Sequence, residues 1–93
     1  MNPRFERDDE KARTNLKKHG VDFEEASTIF DDPLFITFLD EEHSINEERY
    51  ITIGLSSKQR LLMVAHTESK DSIRIISARK ATKNEEIFYA EAG

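Results

Sequence analysis

The residues best suited to chemistry are cationic and lie in the second half of the chain. Residues 49–83 hold eight Lys or Arg (Arg49, Lys58, Arg60, Lys70, Arg74, Arg79, Lys80 and Lys83) against only Glu68 and Asp71. Residues 1–48 hold six against fourteen acids, and the whole chain carries −5 at pH 7. A basic block inside an acidic protein can make a local anion site, because the field depends on where charges sit and not on their sum. The same cations would also serve merely to keep the outer faces of strands in water, and charge alone does not separate the two readings. Proton transfer near neutrality calls for imidazole, and the chain offers His19, His43 and His66.

Other chemistries find little support. There is no Cys, hence no disulfide framework and no thiolate ligand or nucleophile. No G-x-G-x-x-G, Walker loop, H-E-x-x-H or nucleophile elbow occurs. The three His fall at a helix end, in a loop and at a strand end, with no local ligand spacing, so neither a metal nor a cofactor is expected. Ninety-three residues, 37% hydrophobic and 35% charged, make one globular domain spanning 1–93. No apolar run approaches the roughly 18 residues of a membrane span. MNPRFERDDEK lacks the apolar centre of a signal peptide, so a cytoplasmic address is expected.

These side chains need elements to hold them. Arg4–Arg7 reads as a short strand, and Asp8 or Asp9 caps a helix to about Lys18 that ends at His19-Gly20. Asp22 and Glu25 stand at capping-box spacing for a second helix through Phe30, stopped by Asp31-Asp32-Pro33. The period then changes: 34–38, 49–54, 60–67 and 72–78 read as strands joined by polar turns, with 60–67 the most apolar and central. Thr82 and Glu85 open a last helix carrying Ile87, Phe88 and Tyr89. The order (β)ααββββα predicts an α+β fold. Two N-terminal helices and a C-terminal one pack on a four- to five-stranded, mainly antiparallel sheet.

Several blocks together resemble the BrnT family. They are Phe5-Glu6-Arg7-Asp8, Lys11-Ala12, Asn15, Lys18-His19-Gly20-Val21, Phe23-Glu24-Glu25-Ala26 and Phe30-Asp31-Asp32-Pro33. They continue with Glu48-Arg49-Tyr50, Ile53-Gly54, Val64, His66-Thr67, Arg74-Ile75-Ile76-Ser77-Ala78-Arg79-Lys80-Ala81 and Glu85 with Tyr89. The likeness spans roughly residues 4–90. One departure is Arg7, which stands where the family usually carries an aromatic. The resemblance implies a RelE-like fold and a ribonuclease that arrests translation, as the toxin of a type II toxin–antitoxin pair. It also implies a BrnA-type antitoxin whose ribbon-helix-helix part meets operator DNA, so that the toxin reaches DNA only through its partner. No membrane partner is implied.

RNA cleavage without a metal needs a base for the 2′-hydroxyl proton, cations for the charge gathering on phosphorus, and an acid for the leaving oxygen. Arg is apt, because its planar fork holds two phosphate oxygens and stays charged. Arg49, Arg74 and Arg79 lie beside or within apolar strands and are expected to share an anion pocket on one sheet face; the alternative is solvated Arg, or Arg49 paired with an acid of the first half. His66, ending the most apolar strand, is the candidate for proton transfer, against a hydrogen-bonded structural role. Lys11 and Lys18, with Asn15, lie on one helical face that either meets RNA, free or on the ribosome, or is simply solvated. His19, Lys80 and Lys83 are further RNA-binding candidates. Tyr89 either packs or donates a proton. Glu48, with Glu47 beside it, reads as surface. The acids of the first half either face away from substrate or engage a basic stretch of the antitoxin. A non-enzymatic partner-binding module and a metal-dependent nuclease remain the rival readings.

Overall fold

The computed structural model describes residues 4–92. Strand β1 (Arg4–Glu6) leads into helix α1 (Asp9–His19), then α2 (Phe23–Ser27), which tightens into a 3-10 turn over Thr28–Asp31. Strands β2 (Ile36–Leu39), β3 (Arg49–Leu55), β4 (Leu61–Ser69) and β5 (Ser72–Lys80) follow, and helix α3 (Lys83–Ala92) closes the chain. The sheet order is β1-β5-β4-β3-β2. β2 to β5 form the expected antiparallel meander, while β1 pairs parallel with β5 at the edge. β5 runs two residues beyond its expected end, which places Arg79 and Lys80 within the strand.

Local chemistry explains the helices. Asp8 caps α1 by accepting from the Glu10 and Lys11 amides at 2.8 and 3.1 Å, and two acids in its first turn suit the dipole. Gly20 ends α1 at φ 71°, a left-handed position that only glycine takes without strain. Asp22 caps α2 through the Glu25 amide. The Glu25 carboxylate does not reach back to complete a capping box. It turns inward to Ser56 Oγ (2.7 Å) and Arg60 Nε (2.9 Å), because at 4% exposure it needs a cation more than an amide. The Arg60 partnership holds Glu25 below the usual carboxylate range even though burial opposes it.

One face of the sheet carries the core. Val21, Phe23, Ala26 and Ile29 pack on Leu62, Val64, Ile75 and Ala78. Gly54 lets the 3-10 turn close on β3, since a Cβ there would sit 3.0 Å from the Ile29 carbonyl oxygen. Opposed residues in antiparallel strands share a face, so Thr52, Val64 and Ala78 point to α1 and α2, whereas Ile53, Met63 and Arg79 point away. Helix α3 packs against β3, and Phe88 meets Phe38 edge-on at 5.8 Å. Its other anchors are polar. Glu85 grips Arg79 at 2.8 and 2.9 Å while accepting from the Thr82 amide, and the Tyr89 hydroxyl donates to Asp32. That bond to Asp32 pushes the Tyr89 hydroxyl up to about 12. Tyr89 is therefore held as an anchor, not poised as a proton donor.

Candidate functional site

Arg49, Arg74 and Arg79 all project from the face opposite α1 and α2, as expected, but the sheet brings only two of them together. Thr67 of β4 is the register partner of both Arg49 and Arg74. With strands about 4.8 Å apart, the two guanidinium stems start about 10 Å from each other across Thr67. Arg79 is opposite Met63, about 13 Å further along β4 at the usual strand rise. The shared pocket for three arginines is thus corrected to a pair plus an outlier. Arg79 is engaged by both oxygens of Glu85. Burial would raise the Glu85 carboxyl, yet Arg79 and the Thr82 cap outweigh it and hold it low. This arginine anchors α3. Arg74 also has a carboxylate, Glu47 at 2.8 Å, but both side chains are more than half exposed. An exposed pair of this kind is weak and exchangeable.

Beside this pair lies a cleft of about 330 Å³ lined by Glu42, His43, Ile45, Asn46, Glu47, Arg49 and Thr67. Its floor is the buried Thr67. The loop forming its wall is closed at the neck by Ser44. The Ser44 hydroxyl donates to the Asp40 carbonyl (2.6 Å) and accepts from the Arg49 amide (2.9 Å), while the Asp40 amide bonds the Arg49 carbonyl (2.8 Å). His43 thereby enters the site. In the sequence it sits in a polar connector, and only the Asp40-x-x-His43 spacing hints at an oriented imidazole.

His66 does not join the arginines. It faces α1 and α2 with no exposed surface, edge-on to Phe30 at 5.2 Å and stacked on Tyr50 at 6.0 Å. Nε2 meets the Thr52 hydroxyl at 2.7 Å, and Nδ1 has no hydrogen-bond partner, with Glu68 at 3.5 Å. Desolvation pushes the ring down to about 4. The expected proton-transfer role is corrected on geometry: a ring sealed under two aromatics, on the other side of the sheet, cannot touch a substrate held by Arg49 and Arg74.

A second, larger cleft of about 480 Å³ does unite Lys11, Lys18 and His19, together with Asp8, Glu10, Thr14, Asn15, Ile76 and Ser77. It lies along the edge of β5 that the three-residue β1 leaves uncovered, where the register shifts opposite Ala65 and His66. Asn15 is a clamp here. Its amide donates to the Ala78 and Val21 carbonyls (2.8 and 2.9 Å) and accepts from the Ala78 amide (3.0 Å), replacing the missing strand partner. Lys80 and Lys83 are exposed at the end of β5 and the start of α3 and line neither cleft. Glu48 is within reach of the Tyr50 hydroxyl at 3.3 Å. Among the described residues no three His, Asp or Glu side chains gather as a metal ion would need, and no helix is long and apolar enough to cross a membrane.

Helices on both sides of a five-stranded sheet, with Arg49 and Arg74 on the partly open face, define a small α+β protein. The family model described as the ribonuclease toxin BrnT of type II toxin–antitoxin systems matches residues 8–85, and the chain belongs to that family. The 1.1 Å crystal structure of the Brucella abortus ribonuclease toxin BrnT is similar with a TM-score of 0.62. That similarity covers 89% of this chain and 99% of that one at 22% identity, which makes it a likeness of fold. No curated protein matches the sequence. Membership brings an RNA substrate and an antitoxin partner as family traits.

Proposed function

We propose that the chain is a metal-independent endoribonuclease that cuts RNA, chiefly mRNA, on the open sheet face and so arrests translation. One observation carries the reading: in a chain of the ribonuclease toxin family, Arg49 and Arg74 flank Thr67 on that face, one beside a cleft and the other held only by an exchangeable surface carboxylate. Two guanidinium groups on rigid strands can hold the non-bridging oxygens of a phosphodiester and stabilise the charge that grows as the 2′-oxygen attacks. The product would be a 2′,3′-cyclic phosphate and a free 5′-hydroxyl.

Lys11, Lys18 and His19 extend the footprint. Ser77 pairs with Ala65 and so shares the open face, and it also lines the second cleft. An RNA strand crossing the uncovered edge of β5 would therefore pass from one cleft to the other, with Lys80 and Lys83 as outlying phosphate contacts. Neutralisation falls to a BrnA-type ribbon-helix-helix antitoxin, drawn to the acidic first half, and operator DNA is met only through that partner. Asp8 is both a cap and a member of that acidic run.

Primer extension on RNA from cells expressing the wild type and Arg49→Ala/Arg74→Ala tests the reading. New 5′ ends in the wild type, retained under chelator in a cell-free extract and lost in the double variant, are the expected result. Growth arrest that persists in the double variant without new RNA ends would replace the enzyme with a partner-binding module.

A further inference from the structure

Arg49 and Arg74 can hold a phosphate but cannot move a proton, and the one imidazole that lines the cleft beside them is His43. His43 Nδ1 lies 2.8 Å from Asp40 Oδ2. The Asp40 side chain is 17% exposed, and the His43 side chain is 58% exposed. A carboxylate that accepts from Nδ1–H fixes the ring's orientation and leaves Nε2 as the basic nitrogen. The pair is not free to wander, because the Ser44 staple ties Asp40 to Arg49 on both strands of the loop neck. His43 lines the same cleft as Arg49 and Thr67.

We propose that His43, aimed by Asp40 over the Arg49 and Thr67 cleft, is the catalytic base for RNA cleavage, with Asp40 as its positioning residue. The inference rests on the ribonuclease reading of that face. In the step, His43 Nε2 takes the proton of the 2′-hydroxyl, the 2′-oxygen forms a bond to phosphorus, and the P–O5′ bond breaks. The 5′-oxygen leaves with the bonding pair and takes a proton from water, and the imidazolium returns its proton to solvent. The charged groups around the ring are Asp40, Glu42 and Glu47 from the loop, Arg49 from β3, and Arg74 from β5 through Glu47.

The test uses the full chain in a bacterial translation extract with a reporter mRNA, so that free and ribosome-bound RNA are both present, and reads cleavage by primer extension. His43→Ala and His43→Gln are expected to lose about 100-fold in cleavage rate. Added imidazole restores part of the rate to His43→Ala and none to Arg49→Ala. Asp40→Asn is expected to lose about tenfold or more and to displace the acid limb of the pH profile, with an unchanged unfolding temperature. If His43→Ala cleaves within about twofold of wild type while Arg49→Ala does not cleave, the pair is a surface contact and the proposal falls, leaving the ribonuclease reading intact. If Arg49→Ala and His43→Ala both cleave as the wild type does, the placement of the chemistry falls with it.

Discussion

The two faces of the sheet treat the same side-chain types in opposite ways. Toward α1 and α2, a carboxylate, an imidazole and an amide are drawn inside and spent on the fold: Glu25 on Arg60 and Ser56, His66 on Thr52, Asn15 on the β5 edge. On the other face Arg74 meets Glu47 with more than half of each side chain in water, and the His43 ring stays exposed although its partner Asp40 is largely covered. The difference lies in solvent. A buried charge without its partner costs several kcal/mol, so interior pairs are permanent. Exposed pairs are weak and can be traded for a ligand. Arg79 shows that the boundary is not simply the sheet plane. It shares the open face, yet both oxygens of Glu85 at the start of α3 engage it, and with both side chains half-buried it is spent on the fold.

This contrast can be broken by measurement. The largest effect is expected on the open face: Arg49→Ala with Arg74→Ala should reduce RNA cleavage by about 10²–10³ while the urea midpoint stays near wild type. A large stability loss would mean that these cations hold the fold. On the closed face Arg60→Ala should lower the unfolding free energy by about 3 kcal/mol, because Glu25 is left buried without its cation, yet cleavage per folded molecule should persist. His66 sharpens the comparison through pH. Its folded value of about 4 is below the ordinary 6.5, so the unfolded chain binds the proton first as pH falls. The stability it contributes is complete above about pH 6.5 and is lost progressively toward pH 4, on the order of 2–3 kcal/mol by pH 4.5. Urea titrations at pH 7 and 4.5 should show that slope in the wild type and a flatter one in His66→Gln. The smallest effect belongs to the second cleft. Lys11→Ala and Lys18→Ala should each reduce the salt slope of single-stranded RNA binding by about 0.7, with the maximal cleavage rate unchanged; a lost rate would move the chemistry to that cleft.

Period and punctuation carry most of the architecture. Gly20, Asp22 and Pro33 mark the ends of elements where the structure puts them, and the strands from β2 to β5 stand in a meander where the change of period places them. Alternation by itself would send Arg74 and Arg79, five residues apart on β5, to opposite faces; the register shift opposite Ala65 and His66 brings them to one. The helical spacing of Lys11 and Lys18 anticipates their common cleft. Period and helical spacing are local properties, set by bonds and contacts within a few residues or one turn, whereas that register is not.

Tertiary packing alone decided which charged groups are free. His66 looks the better placed imidazole in one dimension, but Phe30, Tyr50 and Thr52, all brought from elsewhere in the chain, seal it. A loop pinned to β3 presents His43 instead. Arg79 lost its expected part to Glu85, a partner that acts only because α3 folds back toward the sheet. Desolvation is a property of what surrounds a group from every direction, and no stretch of neighbouring residues encodes it.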